Sequence, residues 1–230
     1  MWMAMKGTPS IILWIVSSAC GRVGFSSPTG DGGDDSLAIV SVAFCERAAA
    51  GCTTATTRDT YVSEGSATFN FGSLDHVACE ISPARVGLLR FDISGIPAGS
   101  VVTEAELTLV TTANPLSSGS VELYVILDAW LENEATFDQA TSGIPWTATG
   151  VGVGSREATS IASFSPALAT TEYVVVIPSA TVQAWVSQPG NNHGVALVAS
   201  SSGSDSAHLA TREAGTTESR PLLRVQYRSP

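Results

Sequence analysis

Residues 89–111 read LRFDISGIPAGSVVTEAELTLVT, and this stretch decides the predicted fold. Leu89, Phe91 and Ile93 alternate with polar residues, which is the period-two pattern of a strand with one face in a core. A turn at 96–99 (IPAG) separates this run from a second alternating run, AELTL. Two such strands joined by a turn favour an antiparallel β-structure.

The same alternation recurs along the rest of the chain, separated by turns rich in Gly, Ser, Pro and Asn. The predicted strands are 59–62, 85–93, 103–112, 120–129, 171–178, 194–200, 206–212 and 222–228. Apolar residues at helical spacing predict one short helix at 180–186. The connection at 129–170 is long, and loops of that length are functional or folded on themselves. Eight strands are the number that a jelly roll needs, so the predicted fold is an all-β antiparallel sandwich of jelly-roll type with one short helix over residues 53–230.

The charge of the chain excludes nucleic acid as a partner. The sequence has 230 residues and a formal net charge of −10. Its only lysine is Lys6, close to the N-terminus. An acidic protein with almost no lysine has no field that attracts phosphate backbones.

The N-terminus is typical of an export signal. Residues 1–19 hold one positive charge at Lys6 and an apolar run, IILWIV, that is too short to span a bilayer. The following SSAC is similar to a bacterial lipobox, which predicts acylation of Cys20 and a membrane anchor there. Plain secretion and an uncleaved anchor are the alternatives. The protein is therefore expected to be exported, as an outer-membrane lipoprotein or an extracellular protein.

Residues 20–52 are predicted to be a flexible acidic spacer followed by an N-terminal arm. The arm, LAIVSVAF, is either an extra strand or a packed segment. An oxidising compartment permits disulfides. Cys45 and Cys52 are close enough in sequence to close a small loop and are the predicted pair, although Cys79 can pair with either.

Seven motifs occur in an order that resembles one known family. They are DTYV (59–62), NFG (70–72), LLRFDISGIPAGSVVTEAELTL (88–109), WLENEATFDQA (130–140), VQAWVSQPGNNHGVAL (182–197), TRE (211–213) and RPLLRVQY (220–227). Together they resemble the DNRLRE-domain family, which includes carbohydrate-binding module family 96 and the disaggregatase-related domains. The resemblance implies a jelly-roll sandwich on a secreted protein, and some members bind polysaccharides such as alginate. The letters of the family name correspond to Asp59, Asn70, Arg90 and the Arg212–Glu213 pair.

Arg90, Arg212 and Glu213 are candidate ligand-binding residues. A guanidinium group can grip a sugar carboxylate with two parallel hydrogen bonds. The alternative is an internal ion-pair network that fixes neighbouring strands, and this is favoured because both arginines fall inside predicted strands.

Asp59 and Asn70 bracket the first predicted strand and are candidate ligands of a structural calcium ion. Calcium takes six to eight oxygen ligands, which loops commonly supply. The alternative is that both side chains cap turns.

Trp130 and Trp146 are candidates for a platform on which a sugar ring stacks. Trp146 lies among Gly, Pro and Thr in the long connection and is expected to be the more exposed. Trp130 ends a predicted strand, and Trp185 lies on the apolar stripe of the helix, so both can instead belong to the core. Burial of all three would favour a structural role.

Glu132 and Glu134 are paired carboxylates beside an aromatic residue, an arrangement that suggests catalysis. A lyase or glycosidase needs such a pair held apart with one pKa raised. The alternative is a solvated loop edge. The predicted function is therefore an exported, non-catalytic module that binds polysaccharide at the cell surface or matrix. A structural or adhesive module is the alternative, and a polysaccharide lyase is the weaker one.

Overall fold

The computed structural model describes residues 38–47, 51–53, 57–112, 114–115, 119–200 and 206–230. The predicted signal peptide, Cys20 with its proposed lipid, and the acidic stretch up to residue 36 lie outside the described residues. Among the residues that are described, no helix has both the length and the apolar character needed to cross a bilayer.

Strands dominate the described residues, with one α-helix and three 3₁₀ turns. The strands are β1 (Ile39–Cys45), β2 (Cys52–Thr53), β3 (Thr57–Ser63), β4 (His76–Ile81), β5 (Ala84–Phe91), β6 (Val101–Val110), β7 (Val121–Val125), β8 (Gln139–Thr141), β9 (Ile144–Pro145), β10 (Ala162–Phe164), β11 (Glu172–Val176), β12 (Val195–Ala199), β13 (Ala207–Ala210) and β14 (Leu222–Arg228). The helix α1 spans Ser179–Ser187, and the 3₁₀ turns are Glu64–Ser66, Pro189–Asn191 and Thr217–Ser219.

The first sheet has the strand order β11-β6-β14-β1-β2. Its pairs are antiparallel except for the short parallel contact between β1 and β2. Strand β1 pairs with β14 along its whole length, from Ile39 opposite Arg228 to Cys45 opposite Leu222. Of the two alternatives for the N-terminal arm, the structure therefore adopts the extra strand.

The second sheet is organised around β5, which lies between β12 and β3. Strands β7 and β10 continue the sheet beyond β12. Strand β4 pairs with β5 only next to their hairpin and then pairs with β13. An isolated bridge from Thr111 to Leu209 connects β13 to the end of β6, so the two sheets curl together at this corner. The predicted all-β sandwich is confirmed.

The main core lies between the two sheets. The inward-facing residues of β5, β6, β12 and β14 alternate with outward-facing ones, as their sequences predict. They include Leu89, Leu107, Leu109, Leu197 and Val225. Helix α1 adds a buried face of Val182, Trp185 and Val186 to the same core, which confirms the predicted helix and the core role of Trp185.

A second apolar layer covers the outer face of β5. Val86 and Leu88 point away from the main core and contact Trp130 and Trp146, which come from the long connection after β7. That connection contains β8, β9 and β10, so it is folded onto the sheet. Both faces of β5 are therefore buried, and each large side chain taken out of water contributes about 1.5–3 kcal/mol.

Two local differences from the predicted strands position the polar site. Strand β4 has no counterpart among the predicted strands, and β13 ends at Ala210 rather than at residue 212. At the end of the strand the Thr211 N–H donates to the carbonyl of Asp75, and the Thr211 hydroxyl donates to the carbonyl of Leu74. As a result Arg212 and Glu213 lie in a turn.

A disulfide joins Cys45 at the end of β1 to Cys52 in β2, with 5.3 Å between their Cα atoms. It closes the small loop that the sequence predicted. Cys79 is a buried free cysteine. Burial raises the pKa of its thiol to about 12, which keeps the sulfur protonated and unreactive.

Candidate functional site

The main polar cluster forms where β3 meets the turn at Arg212 and Glu213. Asp59 of β3 is only 2% exposed, and its Oδ2 accepts a hydrogen bond from the Arg212 N–H at 2.9 Å. The N–H of Asp59 in turn donates to Oε1 of Glu132 at 2.9 Å. Three distant segments of the chain are therefore held together at Asp59.

The Arg212 guanidinium group lies among acidic side chains. Its Nε is 2.6 Å from Oε1 of Glu213 and 3.3 Å from Oε1 of Glu132, and its Nη1 is 3.5 Å from Oε1 of Glu46. Arg58 adds a longer contact, 3.8 Å between its Nε and Oε2 of Glu132. Arg212 and Glu213 thus take part in the internal ion-pair network that the sequence favoured, in which Nε and Nη1 of Arg212 already contact acidic side chains.

Burial shifts the acids of this cluster toward their neutral forms. It raises the pKa of Asp59 well above the usual range, and the neighbouring Glu213 and Glu132 raise it further, against the opposing effect of the Arg212 N–H. Burial also raises the pKa of Glu132, although the N–H of Asp59 and the charge of Arg212 lower it. The cluster therefore holds more acidic groups than its bases neutralise.

Asn70 and Gly72 fix the segment that carries Glu132. The Asn70 amide donates to the carbonyls of Glu132 at 2.7 Å and Ala135 at 2.8 Å, while its Oδ1 accepts the N–H of Gly72. A Cβ at Gly72 would lie 2.3 Å from the Glu132 carbonyl oxygen, so this close approach requires glycine. Asn70 therefore clamps a loop, as the turn-capping alternative expected, and it does not belong to the group of carboxylates at Asp59.

Arg90 is the register partner of Arg58, and no hydrogen bond or ion pair between described residues joins it to Arg212 or Glu213. Its guanidinium carbon is 5.7 Å from the centre of the Trp130 ring, a cation–π arrangement. Burial lowers the pKa of Arg90, and the charge of Arg58 adds to this effect. The structure therefore does not bring Arg90 into one sugar-binding groove with Arg212 and Glu213.

The two tryptophans proposed as a sugar platform are both buried. Trp130 is 2% exposed and donates its indole N–H to the carbonyl of His193 at 2.8 Å. Trp146 is 4% exposed and donates to the carbonyl of Thr136 at 2.8 Å. The expectation that Trp146 is exposed is wrong, because the outer face of β5 is itself apolar and the long connection covers it with both rings.

Glu132 and Glu134 point in different directions. Glu132 is 7% exposed and belongs to the cluster at Asp59, whereas Glu134 is exposed and accepts the N–H of Ser142. The two carboxylates therefore do not face each other as a catalytic pair, and the solvated-edge alternative fits Glu134 only. The sequence analysis named Glu132 only as a candidate catalytic carboxylate and missed its place in the ion-pair network with Asp59 and Arg212.

A polar groove opens next to this cluster. It has a volume of about 280 Å³ and lies between the turn before β4, the end of β6 and the segment after Glu213. Its lining residues are mainly hydroxyl-bearing or small: Asp75, Val110, Thr111, Thr112, Thr170, Ala210, Ala214, Gly215, Thr216 and Ser219. Thr170 has a φ of +48°, an unusual conformation for a β-branched residue.

Two stacked histidines stand beside the floor of the groove. His76 is the register partner of Ala210, and His208 lies two residues before Ala210 on the same strand, so all three share one face. The imidazole rings of His76 and His208 are 4.3 Å apart and nearly parallel. Burial lowers the pKa of His208 to about 4, and the charges of His76 and Arg85 contribute. His208 is therefore neutral at physiological pH.

The sequence profile of carbohydrate-binding module family 96 matches residues 51–227. No curated protein sequence gives a significant match to the chain. The matched range includes the cluster at Asp59 and the groove at Asp75. Carbohydrate-binding modules are non-catalytic, which agrees with the prediction that the protein is not an enzyme. The chain belongs to carbohydrate-binding module family 96, the family that its seven motifs resemble.

Proposed function

We propose that the protein is an exported, non-catalytic module that binds polysaccharide at the cell surface or in the matrix. Family membership supports carbohydrate binding, and the groove lined by Asp75, Thr112 and Thr170 is the observation that carries the choice of surface. A groove open to solvent can admit an internal segment of a polymer. The buried tryptophans, Arg212 and Glu213 have no part in this contact.

The lining of the groove favours a neutral polysaccharide. Asp75 is its only charged residue, and none of the described lining residues is basic. A carboxylate and several hydroxyl groups match the hydroxyls of a neutral sugar, which can donate and accept hydrogen bonds. An acidic polymer such as alginate would meet repulsion from Asp75 and from the net charge of −10.

The backbone at Thr170 supports a binding role for the same groove. Strained residues of this kind are concentrated at binding sites, because the surrounding structure has to hold them in place. Here the Thr170 N–H donates to the Thr112 carbonyl at 3.0 Å, and the Thr111 hydroxyl donates to the carbonyl of Leu168 and accepts the N–H of Thr171. The exposed Thr170 side chain is therefore presented in a fixed position at the groove.

The test is binding of the full chain to a panel of neutral and acidic polysaccharides, followed by variants measured on any polymer retained. Asp75→Asn is expected to weaken binding about tenfold, since a hydrogen bond to a charged group contributes about 1.5–3 kcal/mol. Asp138→Asn is the matched control, because Asp138 is also exposed but does not line the groove.

A second depression, beside α1, is the alternative binding surface. It has a volume of about 350 Å³ and its lining includes Leu127, Trp185, Asn191 and His193. Loss of binding in Asn191→Ala, with Asp75→Asn unchanged, would show that the groove is the wrong surface.

A structural or adhesive role without a glycan site is the second candidate. The burial of Trp130, Trp146 and Trp185 favours it, because the large aromatic surfaces that often stack on sugars all serve the fold. Retention of the full chain on none of the polysaccharides would select this candidate.

Export depends on the N-terminal segment and is tested separately. Cys20→Ser is expected to release the protein from membranes if the lipobox is used. Unchanged membrane association would count against lipidation of this residue.

A further inference from the structure

The cluster at Asp59 has an excess of acidic oxygen atoms around one point. Asp59, Glu132 and Glu213 each offer one carboxylate oxygen, and these three oxygens all lie within 4.8 Å of one another. Oxygens bound to a common calcium ion at about 2.3–2.6 Å are separated by at most about 5 Å. The spacing therefore fits a single cation with a ligand from each residue.

Buried oxygens in this cluster lack a partner. Within the part of the chain that the structure describes, Oδ1 of Asp59 and Oε2 of Glu213 accept no hydrogen bond, although both atoms are buried. Asp59 is almost completely buried, with only 2% of its surface exposed. A buried ionised oxygen without a partner is costly, so a native site of this kind binds either a proton or a cation.

The charges of the cluster also leave room for a divalent cation. Four carboxylates, from Asp59, Glu132, Glu213 and Glu46, surround the guanidinium group of Arg212, and Arg58 provides the second positive charge. A cation in the site would keep all four carboxylates ionised, and their four negative charges would exceed the two positive charges by two. That excess equals the charge of one calcium ion.

We propose that Asp59, Glu132 and Glu213 form a calcium-binding site that joins β3, the long connection after β7 and the turn after β13. Calcium suits the site better than magnesium, because it accepts irregular oxygen coordination, whereas magnesium demands near-octahedral geometry and keeps most of its water. Arg212 remains bound to Oε1 of Glu213, which leaves the unpartnered Oε2 of that carboxylate for the ion. The ion is structural, and its site is separate from the groove residues that carry the proposed function.

The test is calorimetric titration of the full chain with calcium chloride after dialysis against EDTA and then against EDTA-free buffer. One ion per chain is expected, with a rise in Tm of roughly 5–10 °C at a calcium concentration about 100 times the Kd. Magnesium chloride is expected to give a smaller shift at the same concentration. Absence of a heat of binding and of any change in Tm at millimolar calcium would overturn the proposal. The cluster would then be an ion-pair network without a metal ion.

Two variants identify the ligands. Asp59→Asn removes one negative ligand while keeping an oxygen that accepts the Arg212 N–H, and calcium affinity is expected to fall at least about tenfold. Glu80→Gln is the matched control, because the Glu80 carboxylate is also largely buried and pairs with Arg85 at 3.2 Å, outside the cluster. Equal affinity in wild type and Asp59→Asn would overturn the proposal even if calcium binds elsewhere, and this readout is independent of glycan binding.

Discussion

Replacement of Glu132 by alanine is expected to destabilise the protein strongly, whereas the same change at Glu134 is not. The two glutamates are two residues apart, and their sequence contexts are alike. Glu132 is buried and contacts Asp59 and Arg212, while Glu134 is exposed and makes one hydrogen bond to a loop N–H. Comparison of the two variants therefore separates the stability lost with the cluster contacts from the effect of removing one negative charge.

The magnitude follows from the contacts that Glu132 makes. Its loss leaves the buried N–H of Asp59 without an acceptor, which costs about 1–3 kcal/mol. Arg212 also loses a contact at 3.3 Å, worth about 1 kcal/mol because that guanidinium group is 29% exposed. Relief of the repulsion from Asp59 and Glu213 offsets part of this. A net loss of about 2–4 kcal/mol in the free energy of unfolding is expected, against less than about 0.5 kcal/mol for Glu134→Ala.

The assay is urea and thermal unfolding of both variants in EDTA, followed by far-ultraviolet circular dichroism and tryptophan fluorescence. EDTA removes any contribution of bound calcium, so that only the contacts within the protein are compared. For a domain of this size the predicted loss lowers Tm by roughly 5–15 °C. A stability of Glu132→Ala within about 1 kcal/mol of that of Glu134→Ala would refute the reasoning.

Three further predictions concern pH, a glycine and the first strand. Burial lowers the pKa of His208 in the folded protein to about 4, so between pH 6.5 and 4 the unfolded chain binds a proton that the folded chain does not. The free energy of unfolding should therefore fall by about 1–2 kcal/mol on acidification through this range. His208→Asn should show a smaller loss in urea unfolding. Gly194→Ala should lower the free energy of unfolding by at least about 2 kcal/mol, because φ is +80° and the new Cβ would lie 2.1 Å from a β5 carbonyl oxygen. Gly190→Ala is the control: its new Cβ would meet no atom within 4 Å, so Tm should hardly change. Removal of residues 1–52 deletes β1, uncovers β14 and should abolish the cooperative transition in calorimetry, and removal of residues 1–37, which keeps β1, is the control.

Much of the fold was predictable because it depends on local patterns. The alternation in β5, β6 and β14 identified their inward faces, and the spacing of Val182, Trp185 and Val186 identified α1. The pairing of Cys45 with Cys52 followed from their short separation. Each of these features rests on residues that are neighbours in sequence.

The outer face of β5 shows why the tryptophans were misjudged. Apolar residues on the outer face of a strand, where a loop covers them, alternate with the same period of two as apolar residues on the inner face. The nearly continuous apolar run at 86–91 was a sign that both faces are buried, as in strands covered on both sides. Which segment provides that cover was not visible in the sequence, and it proved to be the segment that carries Trp130 and Trp146.

The sequence by itself determined the main strands of both sheets, the helix, the acidic character and the family, because periodicity, composition and motif order are properties of the linear chain. Only the tertiary structure decided that Asp59, Glu132 and Glu213 share one point, because residues 73 and 154 positions apart meet through the pairing of β3 with β5 and the turn after β13. The charge of a side chain can be read in the sequence, but the free energy of that charge depends on burial and on the distances to its neighbours.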